Sequence, residues 1–304
     1  MAEAQSVRRT GFQYFAPQAL DDALTVLAEH TALGERVQVL AGGTDVLVQL
    51  QSVDRDPRAI LDLKRLPETM QLTVEPDTVR IGSAVPSAVL NEHAALKRLF
   101  PGLLEAADLI GSTQIQGRAS VGGNLCNASP AGDSIPALIA NAAVCELRSS
   151  TGARELPVEA FVVGVQRNAL EAGEMLVSLR LPVPPERSAD AYLRFTPRTE
   201  MDIAVAGCGV RLALDERGVC TAARIGIGAV APTALLVPEA GAALVGTRLE
   251  DTALAAAGAA CANAANPISD KRGTVEFRKK IIAVLCRRAT AIARDRALAG
   301  TMAG

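Results

Sequence analysis

The sequence predicts an α+β protein with two domains, a larger ligand-binding domain over residues 1–183 and a smaller domain with an antiparallel sheet over residues 188–300. Three observations support this division. The predicted strands and helices do not alternate as a repeating βαβ series, which disfavours a single parallel sheet. The stretch LPVPPERSAD (Leu181–Asp190) combines three prolines with charged residues and lacks periodicity, as linkers do. Beyond this linker, strands in hairpin order are followed by helices.

In the larger domain, the spacing of apolar residues predicts each element in turn. Leu20, Leu24 and Leu27 recur at helical spacing, and the apolar run Val37–Leu40 leads directly into a glycine-containing turn. Alternating residues on either side of Pro76 predict a hairpin. The predicted elements are helices over 18–30, 46–50, 87–98, 101–109 and 134–141, and strands over 37–40, 72–74, 79–81 and 144–148.

In the smaller domain, the pattern predicts three strands and then helices. The strands cover 192–196, 205–214 and 221–230, with a hairpin turn at Asp215–Gly218, and the helices cover parts of 238–264 and then 275–298. The segment Lys271–Leu298 carries nine Lys and Arg residues against two Asp and Glu residues. This excess is either a solvated basic face or a docking surface for an acidic partner.

The composition excludes several classes of function. The net charge of −2 gives no long-range attraction to nucleic acid, and no apolar run approaches the ~20 residues of a membrane span. The N-terminus lacks the apolar core of a secretory signal, so we expect a cytoplasmic protein. The six cysteines contain no CxxC pair, and the two histidines, His30 and His93, are far apart in the sequence. We therefore predict no metal ligand and no catalytic residue on this chain, and any redox chemistry requires an organic cofactor.

Two glycine-rich segments carry the strongest functional signal. They are AGGTD (Ala41–Asp45) and ASVGGNLCNASPAGD (Ala119–Asp133), and the second is predicted to be a loop and turn. A Gly-Gly pair allows a ligand to approach the main chain, and successive N–H groups can then surround a phosphate. AGGTD alone also fits an ordinary tight turn, whereas the second segment collects many hydrogen-bonding groups among apolar neighbours. Together they predict a dinucleotide cofactor held from two sides.

The usual nucleotide-binding fingerprints are absent. The sequence has no G-x-x-x-x-G-K-[ST] motif and no G-x-S-x-G elbow. Gly226 and Gly228 lack the third glycine of a Rossmann motif, so we interpret this segment as part of a strand. Asp202 follows Arg198 by four residues, a spacing that fits a site loop and a charged turn equally well.

The chain resembles the flavin-binding subunits of the molybdenum hydroxylases. The resemblance covers AGGTDVLVQL, IGSAVPSAVL, TQIQGRASVGGNLCNASPAGDSIPAL, RTEMDIAVAGCGVRL and SDKRGTVEFRKKI, in this order and over nearly the whole chain. It implies an FAD-binding domain of two lobes, about 1–62 and 63–183, followed by a small antiparallel-sheet α+β C-terminal domain.

The resemblance also implies the role of each site residue. The first glycine segment holds the pyrophosphate and the adjoining ribityl region, the second completes this grip with backbone and amide groups, and the C-terminal domain approaches the flavin. Asp133 is expected near the flavin ring or ribityl chain, and some relatives have an aromatic residue in place of Ile203. The implied cofactor-binding residues are Ala41, Gly42, Gly43, Thr44, Asp45, Ser120, Gly122, Gly123, Asn124, Asn127, Asp133, Asp202 and Ile203.

The implied function is electron transfer within a larger enzyme. In this family a molybdenum subunit oxidises the substrate, a small subunit with two two-iron clusters relays electrons, and the flavin subunit passes them to an acceptor such as NAD. Two alternatives stay open at this point. One is a stand-alone flavin oxidoreductase, and the other is an assembly protein of the same fold that has lost the flavin.

Overall fold

The computed structural model describes residues 13–50, 59–198 and 202–299, which form three units with a main sheet each. The first unit has a three-stranded sheet of order β1-β3-β2 in which both strand pairs are parallel. Its elements are β1 (Gln13–Phe15), α1 (Leu20–Ala32), β2 (Val37–Leu40), α2 (Val46–Gln49), β3 (Ala59–Asp62) and α3 (Pro67–Met70). Residues 1–12 and 51–58 of the predicted first lobe lie outside the described residues.

This parallel sheet is not predicted by the sequence pattern, which identifies β2 alone. Strands β1 and β3 have three and four residues, too few to show an alternation. All four residues of β3 are buried, as expected for the central strand of a covered sheet. Helix α1 packs Leu24 and Leu27 into the same core.

The second unit has a five-stranded antiparallel sheet of order β4-β5-β10-β6-β7. The hairpin predicted around Pro76 is confirmed as β4 (Leu72–Val74) and β5 (Thr78–Gly82), but the central strand β10 (Met175–Pro182) is missing from the prediction. The elements are β4 (Leu72–Val74), β5 (Thr78–Gly82), α4 (Ser87–Glu92), α5 (Ala94–Leu99), α6 (Pro101–Asp108), α7 (Thr113–Gln116), α8 (Val121–Asn127), α9 (Ser134–Ala140), β6 (Val144–Ser149), β7 (Gly152–Pro157), α10 (Val158–Phe161), β8 (Val162–Gly164), β9 (Arg167–Asn168) and β10 (Met175–Pro182).

Two predictions for this unit are wrong. The second glycine segment is not a loop throughout, because α8 occupies its middle. Ser120 caps this helix by accepting a hydrogen bond from the Gly123 N–H (3.0 Å), and Val121 and Leu125 are buried four residues apart on one face. Capping and burial therefore outweigh the low helix propensity of glycine. The helix predicted over 87–98 is two helices, since His93 has an extended backbone (ψ 110°).

The third unit has a four-stranded antiparallel sheet of order β11-β12-β13-β14. Its elements are β11 (Ser188–Phe195), β12 (Ala206–Leu214), β13 (Cys220–Gly228), β14 (Leu235–Leu236), α11 (Pro238–Ala242), α12 (Asp251–Ala264) and α13 (Val275–Ala299). Helices α12 and α13 share one apolar core with the sheet. The predicted linker is shorter than its proline-rich sequence suggests, because β10 includes Pro182 and β11 begins at Ser188.

Buried polar contacts join the third unit to the second. The Asp190 carboxylate accepts hydrogen bonds from the backbone N–H groups of Gly102 (2.8 Å) and Leu103 (3.0 Å) and from the Asn141 amide (2.8 Å). The Arg211 guanidinium donates to the oxygen of the same amide. Because a buried carboxylate needs several donors, these contacts help to hold the C-terminal unit on the second lobe.

Within the part of the chain that the structure describes, no helix is long and apolar enough to cross a membrane. All six cysteines are free thiols, and five of them are buried. They pack as small apolar side chains, as we expect for cysteines without a disulfide partner.

Candidate functional site

A cleft of about 440 Å³ lies between the first and second lobes and is lined by both glycine segments. Its walls come from β2, from the turn after it, from α8 and from the start of β10. Small-molecule sites in proteins enclose roughly 300–1,000 Å³. Ten of the thirteen predicted site residues line this cleft: Ala41, Gly42, Gly43, Thr44, Asp45, Ser120, Gly122, Gly123, Asn124 and Asn127.

The two glycine segments touch each other at Gly42. A Cβ atom at this position would lie 2.0 Å from the carbonyl oxygen of Arg118 and 3.0 Å from the Cα atom of Ala119. Real side chains do not tolerate such distances, so glycine is required for the close approach of the two backbones. The pairing of the segments, and hence the shape of the cleft between them, depends on this contact.

Lys64 binds the backbone of the first glycine segment. Its ammonium donates to the carbonyl oxygen of Ala41 (3.0 Å) and to the carboxylate of Asp62 (2.7 Å). The same carboxylate accepts a hydrogen bond from the Tyr14 hydroxyl (2.5 Å). Burial tends to raise the pKa of Asp62, but the hydrogen bonds from Lys64 and Tyr14 outweigh it, and the pKa of Asp62 is held below its ordinary value. The Asp62 carboxylate that binds Lys64 is therefore ionised at neutral pH.

Replacing Lys64 with methionine is expected to weaken FAD binding about tenfold, since a charge-assisted hydrogen bond to the backbone of the first glycine segment is lost. Fluorescence quenching of FAD titrated into apoprotein measures this change. The control is Lys97→Met, which removes an ammonium from an exposed position on α5. Equal FAD affinities for the two variants would show that Lys64 does not hold the first glycine segment in its binding conformation.

The second segment is fixed by Ser120 and Ser83. The Ser120 hydroxyl donates to the carbonyl oxygen of Ser83 (2.7 Å) and accepts from the N–H of Gly123 (3.0 Å), so its single donor is used within the chain. Gly122 lies directly against Ser83, where a Cβ atom would be 2.5 Å from the carbonyl oxygen. Ser120 thus fixes the second glycine segment, which together with the first forms the cradle of the cleft. Its direct contact with a cofactor stays a prediction.

Two asparagines of α8 present side-chain amides at the cleft. The amide oxygen of Asn124 accepts a hydrogen bond from the Ser134 hydroxyl (2.8 Å), and that of Asn127 accepts one from the Gln49 amide (3.1 Å). The sequence pattern indicates both asparagines but neither of their partners. Ser134 and Gln49 sit in apolar helical stretches, so only the packing of three helices reveals them.

The cleft is also lined by charged and amide groups that no sequence pattern indicates. Glu174 forms a bidentate pair with Arg154 (both N–O distances 2.7 Å), and hydrogen bonds from Arg154 lower the pKa of Glu174. Asn168 donates to the carbonyl oxygen of Cys126 (2.9 Å). Among the described lining residues, the single Lys or Arg side chain is Arg36. These residues come from chain segments with no motif, so no sequence signal marks them.

Three predicted site residues lie outside this cleft. The Asp133 carboxylate accepts hydrogen bonds from the Tyr192 hydroxyl and from Arg194 (both 2.7 Å), and therefore ties the second lobe to the C-terminal unit. Burial raises the pKa of Asp133 in spite of these contacts.

The other two predicted site residues outside the cleft are Asp202 and Ile203. Asp202 pairs with Arg198 (3.4 Å), whose hydrogen bond lowers the pKa of Asp202, and Ile203 is 52% exposed. Residues 199–201 of this segment lie outside the described residues. The expected approach of these side chains to a flavin stays a prediction.

The chemistry of the lining suits binding rather than acid–base or nucleophilic catalysis. Burial raises the pKa of the Cys126 thiol to about 12, so this lining thiol is protonated at neutral pH and is a poor nucleophile. In the described part of the chain, no group of three or more His, Cys, Asp or Glu side chains is placed to hold a metal ion. A cleft with two apposed glycine segments and side-chain amides on its wall fits a diphosphate ligand such as FAD.

Comparison with known families identifies both parts of the chain. Residues 10–184 match the FAD binding domain in molybdopterin dehydrogenase, and residues 191–293 match the CO dehydrogenase flavoprotein C-terminal domain. The two matches meet between β10 and β11, where the structure places the connection between the second and third units.

Individual relatives match over nearly the whole chain. The carbon monoxide dehydrogenase medium chain of Afipia carboxidovorans is 34% identical, over 94% of this chain and 98% of that protein. The xanthine dehydrogenase FAD-binding subunit of Escherichia coli O157:H7 is 32% identical, over 90% and 93%. A structure of carbon monoxide dehydrogenase from Hydrogenophaga pseudoflava superimposes with a TM-score of 0.88 at 30% identity, covering 94% of this chain and 98% of that one.

Proposed function

The chain belongs to the family of FAD-binding subunits of the molybdopterin dehydrogenases, with FAD as its cofactor, and we propose that it is the electron-transfer subunit of a multi-subunit molybdenum hydroxylase. In this role it takes electrons from an iron–sulfur subunit that is served by a molybdenum subunit, and it delivers them to an external acceptor such as NAD. A cytoplasmic location belongs to the same proposal.

The observation that carries the proposal is the apposition of the two glycine segments across one cleft. We place the diphosphate of FAD between them, where the backbone of Gly43 and the amides of Asn124 and Asn127 line the wall. When bound, FAD supplies the redox chemistry, accepting electrons and passing them on. The chain's own residues bind and orient it. Lys64 and Ser120 fix the two segments, and Arg154 fixes the lining carboxylate of Glu174.

Purification of the tagged chain from the organism that produces it tests the subunit role. We expect two further subunits to co-purify, with iron and molybdenum in the preparation by elemental analysis and FAD released on denaturation. A stand-alone flavin oxidoreductase predicts a different outcome, namely FAD without these metals or subunits, and turnover of a small substrate by this chain alone. Absence of both metals and partner subunits would therefore overturn the proposal.

The acceptor is tested on the FAD-loaded chain by itself. If NAD is the acceptor, anaerobic mixing with NADH is expected to bleach the visible flavin absorbance by the reverse reaction. Photoreduction of the same sample is the control, because it shows that the bound flavin can be reduced at all. If the flavin absorbance is bleached by photoreduction but not by NADH, NAD is excluded as the acceptor. A quinone, oxygen or a carrier protein is then the acceptor.

The basic face of α13 is a candidate docking surface for a partner subunit. Lys280 is exposed, Lys279 is half-buried, and neither forms an ion pair within 4.0 Å among the described residues. Reversing both charges (K279E and K280E) is expected to reduce the amount of co-purified partner roughly tenfold if this face meets an acidic surface. The matched control reverses Arg217 and Arg248, two exposed cations elsewhere in the same unit. Unchanged co-purification would identify the α13 face as simply solvated.

A further inference from the structure

The side-chain amides of Asn124 and Asn127 are oriented by the protein before any ligand arrives. In both residues the amide oxygen is already bound, by the Ser134 hydroxyl (2.8 Å) and by the Gln49 amide (3.1 Å) respectively. Among the described residues, neither amide nitrogen has a protein partner. Each amide therefore has two N–H donors left for whatever occupies the cleft.

The geometry points to a function for these two partners: we propose that Ser134 and Gln49 are positioning residues, which hold the amides of Asn124 and Asn127 with their nitrogen atoms available to the FAD diphosphate. The inference rests on the diphosphate placement made under the proposed function. An amide that turned over would offer its oxygen to the phosphate oxygens, and two acceptors repel each other. Correct orientation is thus a condition of binding at this wall.

Ser134 is held more firmly than Gln49, which is half-buried. Ser134 is fully buried at the start of α9, directly after Asp133. Asp133 is fixed by Tyr192 and Arg194 of the C-terminal unit (both 2.7 Å), so the position of the Ser134 hydroxyl depends on contacts from two units. Gln49 lies at the end of α2, the helix that follows the first glycine segment.

The two orienting contacts also connect the cradle across the chain. The contact of Gln49 with Asn127 joins residues 78 positions apart, from the first lobe to the second. The contact of Ser134 with Asn124 joins α9 to α8. The donor groups at the cleft are consequently fixed relative to both glycine segments, and such preorganisation lowers the entropic cost of binding.

The test compares Ser134→Ala with Ser134→Thr and with a matched control. Apoprotein is titrated with FAD by fluorescence quenching, and ADP and riboflavin are used as competing fragments. For Ser134→Ala we expect about a tenfold rise in Kd, equal for FAD and ADP, with riboflavin unaffected. Ser134→Thr retains the hydroxyl and is expected to restore binding. Ser87→Ala removes a buried hydroxyl that has no hydrogen-bond partner among the described residues and does not line the cleft, so we expect its Kd to stay within about twofold of wild type.

Double mutants show whether Ser134 and Gln49 act through the asparagines. Asn124→Ala is expected to weaken FAD binding as much as Ser134→Ala, and the double variant no further, because the hydroxyl has no other route to the ligand. The pair of Gln49→Met and Asn127→Ala is expected to behave in the same way. Additive losses, or an unchanged Kd in both Ser134→Ala and Gln49→Met, would overturn the proposal.

These outcomes are separate from the fate of the proposed function. If no partner subunits co-purify while Ser134→Ala still loses FAD through Asn124, the electron-transfer role fails and the positioning role stands. If the chain co-purifies with its partners but the Ser134 and Asn124 losses are additive, the opposite holds. A loss of affinity for riboflavin but not for ADP would also contradict the inference, because the amides would then face the flavin end of the ligand.

Discussion

Replacing Gly123 with valine is expected to leave the chain folded and unable to retain FAD. A Cβ atom at this position would lie 3.0 Å from the Ser120 hydroxyl and 3.8 Å from the Cβ atom of Ala41, between the two glycine segments. The two methyl groups of valine would then extend into the space where we place the diphosphate. Valine has a higher helix propensity than glycine, which offsets the small shift that the Ser120 hydroxyl must make at this distance. We expect the Kd for FAD to rise by roughly a hundredfold or more, about 2.7 kcal/mol.

The measurement is the flavin-to-protein ratio after purification, followed by titration of the apoprotein. Gly152→Val serves as the control, since a Cβ atom at Gly152 meets no atom of the other described residues within 4 Å and valine suits the edge strand β7. A Gly123→Val protein that purifies with a full complement of FAD would place the diphosphate elsewhere in the molecule.

Replacing Gly42 with alanine is expected to destabilise the protein itself. The added methyl group would lie 2.0 Å from the carbonyl oxygen of Arg118, and both groups belong to the backbone, so no side chain can move aside. The two segments must separate, and the cleft between them loses its shape. We expect a decrease of about 3 kcal/mol in the free energy of unfolding, which corresponds to a decrease of roughly 10 °C in Tm.

Thermal unfolding with and without FAD measures both consequences of this change. Gly117→Ala is the matched control, because it lies one residue before Arg118 and its Cβ atom would be an ordinary 3.6 Å from the carbonyl oxygen of Gln114. FAD is expected to raise the Tm of wild type and of the control, and to raise that of Gly42→Ala much less. Wild-type stability in Gly42→Ala would show that the two segments do not touch in solution.

The sequence predicts the elements whose pattern is long or whose turn chemistry is distinct. The strand Val37–Leu40 is confirmed at both ends, and the helix predicted over 275–298 is confirmed as α13. The prediction fails for α8, because its glycines favour a turn and only the Ser120 cap and the core behind Val121 make the segment helical. It also fails for the parallel sheet of the first lobe, whose short strands β1 and β3 have no readable period.

The residues of the candidate site also fall into two groups, those that a local sequence pattern indicates and those that only the fold brings to the site. Motif residues such as Gly42 and Asn124 are visible in the sequence, because a Gly-Gly pair beside amide side chains is a local pattern. The groups that hold them, Lys64, Gln49 and Ser134, carry no local signal, since each acts on a segment that folding brings to it.

By itself, then, the sequence determines the α+β class, the likeness to flavin-binding subunits and the two glycine segments, and it predicts a division near the proline-rich connection, because these depend on residue type and on spacing along the chain. The tertiary structure alone decides that the segments meet at Gly42 and Arg118, that Asp133 is tied to Tyr192 and Arg194, and which atoms of the amides stay free. The physical reason is that hydrogen bonds and close contacts depend on distance in space, and these contacts join residues 10 to 78 positions apart in the chain.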